Sequence, residues 1–460
     1  MCAAPRTGTD PYTGRAYPDQ PGSLDLEKSW VRAWIDETYL WFDEIPTSLR
    51  ATDYPTPQAF FNVLRTPALT ASGKPQDRFH FIYPTDVWHA LSGSGIEAGY
   101  GFEVAILKSQ VPRDVRIAYT EPGTPAAVAA IARGARVIGV DGVDVETSTS
   151  VSALNAALFP AKAGEGHIFK LRELNGAERL VTLTSAQIKK VPVQNVTAVD
   201  TTSGKVGYLL FNDHVATSEA LLIDAVAQLK AAGVQDLVLD IRYNGGGLLD
   251  IASELAYMIA GPQPTTGAIF ERLLFNRKNP FQLTDAQTVT PFHNVSQGFS
   301  TTAGQALPQL GLPRVTVLTG PGTCSASESI INSLRGVDVK VTQVGDTTCG
   351  KPYGFIPQDN CGTTYFAIQF KGVNNKNYGD YADGIAPTCA VADDFSHQLG
   401  DPAESRFAAA LSYRVTGSCP AITTGVSKAG VLAGVGEPLV SGKSPARSNR
   451  ILRGSEFGGN

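Results

Sequence analysis

Residues 205–247 read KVGYLLFNDHVATSEALLIDAVAQLKAAGVQDLVLDIRYNGGG, and this stretch decides the fold. KVGYLLF is an apolar run of strand length. SEALLIDAVAQLKAAG repeats apolar residues at helical spacing and closes on Gly233, a residue type suited to the position just past a helix end. VQDLVLDIR is almost continuously apolar, the pattern of a strand covered on both faces. Strand, helix and strand in that order predict an α/β core. The alternation continues downstream. LLDIASELAYMIAG predicts a second helix, VTVLTG a third strand, SASESIINSLRG a third helix and VKVTQVG a fourth strand.

Working outward, the character of the chain changes on both sides. Residues 93–190 read as short strands with one helix from Ser152, and Asp141-Gly142 marks a hairpin turn. Residues 25–92 predict a small helical cap. Its first helix is capped by Ser23, carries Asp25 and Glu27 in its first turn and is stopped by Pro46. A second helical pattern covers Pro57 to Leu64, and the aromatic stripe of this region reads as packing. Residues 1–24, rich in Pro, Gly and Thr, predict a flexible lead-in. Residues 262–310 predict an irregular surface excursion. After Lys351 come further strands (TTYFAIQF), a Gly/Asp loop (YGDYADGIAP) and a closing helix in DPAESRFAAALSY. The expected division is 1–24, 25–92, 93–190, 200–413 and a tail at 414–460. Within the tail, Gly454-Ser455-Glu456-Phe457 reads equally as native or vector sequence and is set aside.

Composition limits the function. The chain has 460 residues, 43% of them hydrophobic and 18% charged. That is enough for about three domains at ~150 residues each. No stretch approaches the ~18 apolar residues of a membrane span. With 38 Lys and Arg against 43 Asp and Glu, the net charge is −5. That balance favours neither nucleic acid nor an anionic membrane surface.

Six cysteines stand at 2, 324, 349, 361, 389 and 419, with no CxxC pair, so no metal site is expected. Cys349 and Cys361 fit the two arms of a hairpin, and Cys389 and Cys419 flank the closing helix. Disulfides outweigh buried free thiols as a reading and place the chain outside the cytosol. Met1-Cys2-Ala3-Ala4 resembles a mature bacterial lipoprotein, in which Cys2 would carry a lipid that tethers the chain to a membrane.

Three clusters follow core strands, where open α/β sheets place their sites. Asn244-Gly245-Gly246-Gly247 lets backbone approach a ligand and precedes a helix N-terminus. A Walker lysine is missing, so an oxyanion hole fits better than a phosphate loop. Cys324-Ser325-Ala326-Ser327-Glu328 presents a serine hydroxyl at a helix start, as a nucleophile elbow does. The plain alternative is a helix cap, since Ser325-x-x-Glu328 has the spacing of a capping box. Gly350-Lys351-Pro352 follows the fourth strand. A lysine buried there would lose its charge and could take a proton from a hydroxyl.

The order of these clusters, together with the GDYADGIAPTCAV stretch and the helix after it, resembles the carboxyl-terminal processing proteases, also called tail-specific proteases. The resemblance covers roughly residues 93–413 and implies a mixed α/β multidomain fold: a helical N-terminal cap, a β-rich PDZ-like domain and an α/β protease core of the ClpP/crotonase-like type. It implies Ser325 as nucleophile, Lys351 as general base, and the N–H groups of Gly246 and Ala326 as oxyanion hole. Gly99-Tyr100-Gly101-Phe102 would be the loop that captures the C-terminus of a polypeptide substrate by strand addition. No cofactor, metal or nucleic acid is implied, and the oligomeric state is left open.

The chain also departs from the family. Ser325 and Lys351 are 26 positions apart, one more than is usual. Phe355 stands where many members carry a Gln that orients the lysine, with Gln358 as a weak substitute. Other bases are conceivable: His89, in a place comparable to the histidine of tricorn-type proteases, and His214. Cys324 beside Ser325 invites a thiol-nucleophile reading, but no histidine pairs with it in the sequence. A peptide-binding scaffold that has lost catalysis is the reading from another class.

Overall fold

The computed structural model describes residues 1–420 and 450–451. Its first helix, α1 (Leu24–Thr38), starts at the expected cap, where Ser23 Oγ accepts the Leu26 N–H at 3.3 Å. It ends well before Pro46, and tertiary contacts are the reason. Tyr39 is fully buried with its hydroxyl donating to Asp77 at 2.6 Å, and Leu40 N–H donates to Ile368 O at 2.8 Å. A short helix (Pro57–Phe61), a strand (Phe81–Pro84) and α2 (Thr85–Ser94) follow. The aromatic stripe packs, with Trp30, Trp34, Phe61 and Tyr365 in mutual ring contact. The same cluster takes in Tyr353, Phe355, Phe366 and Ile368. The strand Phe81–Pro84 pairs antiparallel with Thr363–Phe366. The N-terminal helices are therefore packed on chain that follows Lys351.

Residues 1–24, expected as a flexible lead-in, are tied to the rest of the chain at Cys2. Cys2 is bonded to Cys361, and Arg6 pairs with Asp19 through two nitrogens at 2.8 and 2.9 Å. The disulfide also overturns the lipid reading, because the Cys2 sulfur is already spent. It overturns the Cys349–Cys361 hairpin pairing too: Cys349 is bonded to Cys324. Cys389 pairs with Cys419 across the closing helix, as expected.

The β-rich region has its own sheet of β1 (Phe102–Lys108), β2 (Asp114–Thr120), β3 (Arg136–Val140), β4 (Gly166–Arg172) and β5 (Glu178–Thr184), in that order. Helix α3 (Val151–Leu158) packs against it, and Ile117, Leu154, Phe169 and Leu171 form its core. The Asp141-Gly142 turn has φ of 51° and 79°, the positive pair that a primed hairpin turn needs.

The central sheet contains β6 (Val193–Thr201), β7 (Gly204–Phe211), β8 (Asp236–Asp240), β9 (Arg314–Thr319), β10 (Lys340–Gly345) and β11 (Cys389–Ala390), in that order. From β7 onward the pairs are parallel, and β6 is an antiparallel edge. Alternate residues face opposite sides. Leu209, Leu239 and Val317 pack with helices α4 (Ser218–Ala231), α5 (Leu249–Ala260) and α6 (Ala326–Gly336). Tyr208, Val238 and Leu318 pack with Phe407 of α7 (Ser405–Thr416). Gly233 has φ +70° one residue past the C-cap Ala232 of α4, the position its sequence context suggested. Residues 262–310 hold more order than expected: the strand Ile269–Phe275 pairs antiparallel with Phe370–Val373. Most of the expected tail, including Gly454–Phe457, lies outside the described residues. Arg450–Ile451 pairs in parallel with Gly247–Leu248.

Candidate active site

Three loops leave the carboxyl ends of β8, β9 and β10. The first is fixed from below by a buried ion network. Arg242, buried at 1% exposure, contacts Asp240 at 2.8 Å, Asp393 at 2.8 Å and both oxygens of Glu404 at 2.8 and 2.9 Å. The surrounding guanidinium groups hold the Asp393 carboxyl far below the usual carboxylate range despite its burial. Above this network, Asn244 Nδ2 donates to Phe211 O at 3.0 Å, and Asn244 Oδ1 accepts the Gly246 N–H at 2.9 Å. His214 Nδ1 lies 2.9 Å from the same oxygen. Burial pushes the His214 imidazole down to about 4, so it is a neutral framework group near neutral pH.

The second loop runs Gly320 to Ser325. Thr323 Oγ1 donates to Ile241 O at 2.9 Å, Cys324 N–H to Asn244 O at 3.2 Å and Ser327 Oγ to Asn244 O at 3.0 Å. It is thus stitched to the Gly-rich turn. Ser325 is fully buried at the N-terminus of α6 with φ +60° and ψ −114°, a conformation costly for a residue with a Cβ. The expected capping box is present, and in it Glu328 Oε2 accepts the Ser325 N–H at 2.8 Å.

The third loop carries Lys351, which is fully buried. Its amine lies 4.0 Å from the centre of the Phe355 ring and 4.9 Å from that of Phe79. Phe355 therefore replaces a hydrogen-bonding side chain with an aromatic face. Gln358 does not substitute for it: it sits on an exposed strand (Gln358–Asn360) with its amide on Asp359 O at 3.3 Å.

Glu328 ties the second loop to the third. Its Oε2 accepts the N–H groups of Ser325 and Lys351, each at 2.8 Å. Its Oε1 accepts the Gly350 N–H at 2.8 Å and the Thr348 hydroxyl at 2.5 Å. Burial pushes this carboxyl up, and its four donors pull the other way. Arg78 from the cap donates to Cys349 O at 2.8 Å and Ala382 O at 3.0 Å, bracing the lysine loop. The sequence showed Glu328 only as a cap and gave no sign of Arg78 or Phe79.

The Gly-rich turn needs one correction. The Gly246 N–H, expected to face an oxyanion, is committed to Asn244 Oδ1. What Gly246 contributes is close approach. A Cβ built there would lie 2.9 Å from Cys324 O, 3.0 Å from Ala326 N and 3.0 Å from Ser325 Cβ. A glycine thus lets the turn come this near to the start of α6, where the N–H groups lack intrahelical partners. Cys324 is no thiol, since its sulfur is bonded to Cys349. Among the described residues, Cys324, Glu328 and Cys349 converge as metal ligands might, but their two sulfurs are joined to each other. His89 stands in a different cluster. It pairs with Asp359 at 2.9 Å and contacts the Tyr12 ring, and the structure does not bring it into the loops around Ser325.

Gly99, Tyr100, Gly101 and Phe102 line a groove of about 790 Å³ walled by β1, the outermost strand of its sheet, the end of α3 and helix α2. The Tyr100 side chain turns inward, buried at 2% exposure with its hydroxyl donating to Ala157 O at 2.9 Å. Gly101 has φ +85°, and a Cβ there would strike Thr124.

Two family descriptions match this chain: Peptidase family S41 over residues 205–391, and Peptidase S41 N-terminal domain over residues 27–81. The chain belongs to peptidase family S41. Within S41, it is 27% identical over 263 residues to a carboxyl-terminal-processing protease of Picosynechococcus sp., covering 57% of this chain and 54% of that one. It is 24% identical over 340 residues to the chloroplastic carboxyl-terminal-processing peptidase 2 of Arabidopsis thaliana, covering 71% and 60%. The chain thus spans little more than half the length of these curated relatives. A solved chain from Bacteroides fragilis NCTC 9343, assigned to the S41 proteases, superposes with a TM-score of 0.63 at 23% identity, over 86% of this chain and 98% of that one. That likeness shows the shared mixed α/β fold.

Proposed function

We propose that this chain is a serine peptidase that cleaves polypeptides through a Ser325–Lys351 dyad. The carrying observation is that a fully buried lysine and a strained, fully buried serine are hung from one carboxylate oxygen. An ammonium without water is costly, so burial favours the amine that can act as a base. Lys351 takes the Ser325 proton as Oγ attacks a peptide carbonyl. The oxyanion forms at the start of α6, where the Ala326 N–H and the positive end of the helix meet it. Lys351 then returns the proton to the leaving amine. Water repeats the path in reverse and releases the acyl group as a carboxylate.

The groove at Gly99–Phe102 would receive the substrate C-terminus along β1, as a PDZ-like unit does. The separate apolar clusters support a division into helical cap, β-rich unit and α/β core. Three disulfides support an oxidising, extracytoplasmic compartment.

Fluorophosphonate labelling with mapping of the adduct tests the dyad. The adduct is expected on Ser325, absent in Ser325→Ala and slowed in Lys351→Ala. Peptide hydrolysis should fall by ~10⁴ or more in either variant. Since only the neutral amine accepts a proton, activity should rise with pH through the ionisation of Lys351. A folded, unlabelled wild type would favour the peptide-binding scaffold.

A further inference from the structure

We infer that the Cys324–Cys349 disulfide and Glu328 act together as a clamp that positions Ser325 against Lys351, so that turnover depends on the oxidation state of this one bond. The inference rests on the dyad proposed above and adds a control to it. Cys324 directly precedes Ser325, and Cys349 stands two positions before Lys351. The bond between them therefore joins the nucleophile turn to the base loop at the point of chemistry. A main-chain bond reinforces it, with Cys349 N–H donating to Thr323 O at 2.9 Å.

Glu328 spans the same gap. One carboxylate holds the Ser325 amide on one side, and the amides of Gly350 and Lys351 with the Thr348 hydroxyl on the other. The two devices act differently. The carboxylate sets direction through four donors, and the covalent bond limits how far the loops can part. Neither acts on substrate, so both are positioning groups. A displacement of about 1 Å at reacting atoms can cost ~10² in rate.

Cys349 is partly exposed, which gives a dithiol a sulfur to attack. Reduction by dithiothreitol breaks the S–S bond. Two electrons and two protons pass from the dithiol to the two cysteine sulfurs, and the dithiol closes to its own disulfide. The site is left with two thiols beside a carboxylate, and no covalent bond then limits the parting of the loops.

The test uses the full chain with its disulfides formed. Peptide turnover and fluorophosphonate acylation are measured before reduction, under graded dithiothreitol, and after reoxidation. Aliquots are alkylated and mapped to show which bond has opened. Loss of 10- to 100-fold in kcat with KM nearly unchanged, tracking Cys324 and Cys349 alkylation and reversed on reoxidation, is the expected result. Glu328→Gln should lower kcat with KM kept and make the residual rate more sensitive to reductant. Cys389→Ala/Cys419→Ala should retain the wild-type response. The inference is overturned if Cys324 and Cys349 are fully alkylated in the reduced sample while the acylation rate is unchanged. It is equally overturned if Cys324→Ala/Cys349→Ala folds, by circular dichroism, and turns over like the wild type. Failure of the dyad itself looks different: the oxidised wild type would then neither hydrolyse peptide nor carry an adduct on Ser325.

Discussion

At the scale of single residues, Gly246 and His214 carry sharp expectations. Gly246 has φ +105° and no room for a Cβ against Ser325. Gly246→Ala pushes the turn away from the start of α6, where an oxyanion would develop, and should reduce kcat by at least ~10², with a lowered midpoint in urea unfolding. His214 is fully neutral in the native state because burial pushes it down to about 4 from an ordinary value of 6.5. The unfolded chain therefore binds a proton more readily below pH 6.5 than the native chain does. Stability attributable to this residue is intact above pH 6.5 and declines as pH falls toward 4. Between pH 7 and pH 5 the loss should be roughly 2 kcal/mol. Urea unfolding at both pH values should show it as a smaller drop in His214→Gln than in wild type. Ser325, Lys351 and Gly246 were legible in the sequence because each sits in a short motif after a strand. Glu328 was legible only as a cap, because its second set of donors comes from residues 348–351, which the chain brings back by way of α6 and β10.

At the scale of elements, the strands and helices of the core were readable because each is long, apolar and punctuated by glycine. The strand Ile269–Phe275 was not. It lies in a polar stretch, buries Glu271 among its apolar residues, and finds its partner at Phe370–Val373, about a hundred positions away. The early end of α1 was hidden for the same reason, since Asp77 and Ile368 supply the contacts that stop it. One element-level link carries a prediction. Glu404 at the start of α7 holds both outer nitrogens of buried Arg242, beneath the Gly-rich turn. Glu404→Ala leaves that guanidinium short of a partner at a buried position. It should cost about 3–5 kcal/mol in urea unfolding and lower activity through the turn above it.

At the scale of the whole molecule, the groove lies between the β1–β5 cluster and the cap cluster, apart from the apolar cluster around the central sheet. If the groove takes substrate C-termini, its contribution should appear in binding and not in chemistry. A long peptide amidated at its C-terminus should show KM raised by about tenfold, equivalent to ~1.4 kcal/mol, with kcat kept. A short peptide that cannot reach the groove should show no such change when its C-terminus is amidated. The proposed division into a cap, a β-rich unit and a core rests on changes in periodicity that the sequence itself displays. That the cap packs on residues 353–368 was not readable there, because nothing local in either segment announces the other.

The Cys2–Cys361 bond closes a covalent ring through 359 positions of the chain, enclosing the cap, the β-rich sheet and the serine. A single backbone cut by another protease anywhere inside that ring would yield a nicked but still one-piece molecule. On a gel without reductant it would migrate near the intact chain, and two fragments would separate only once thiol is added.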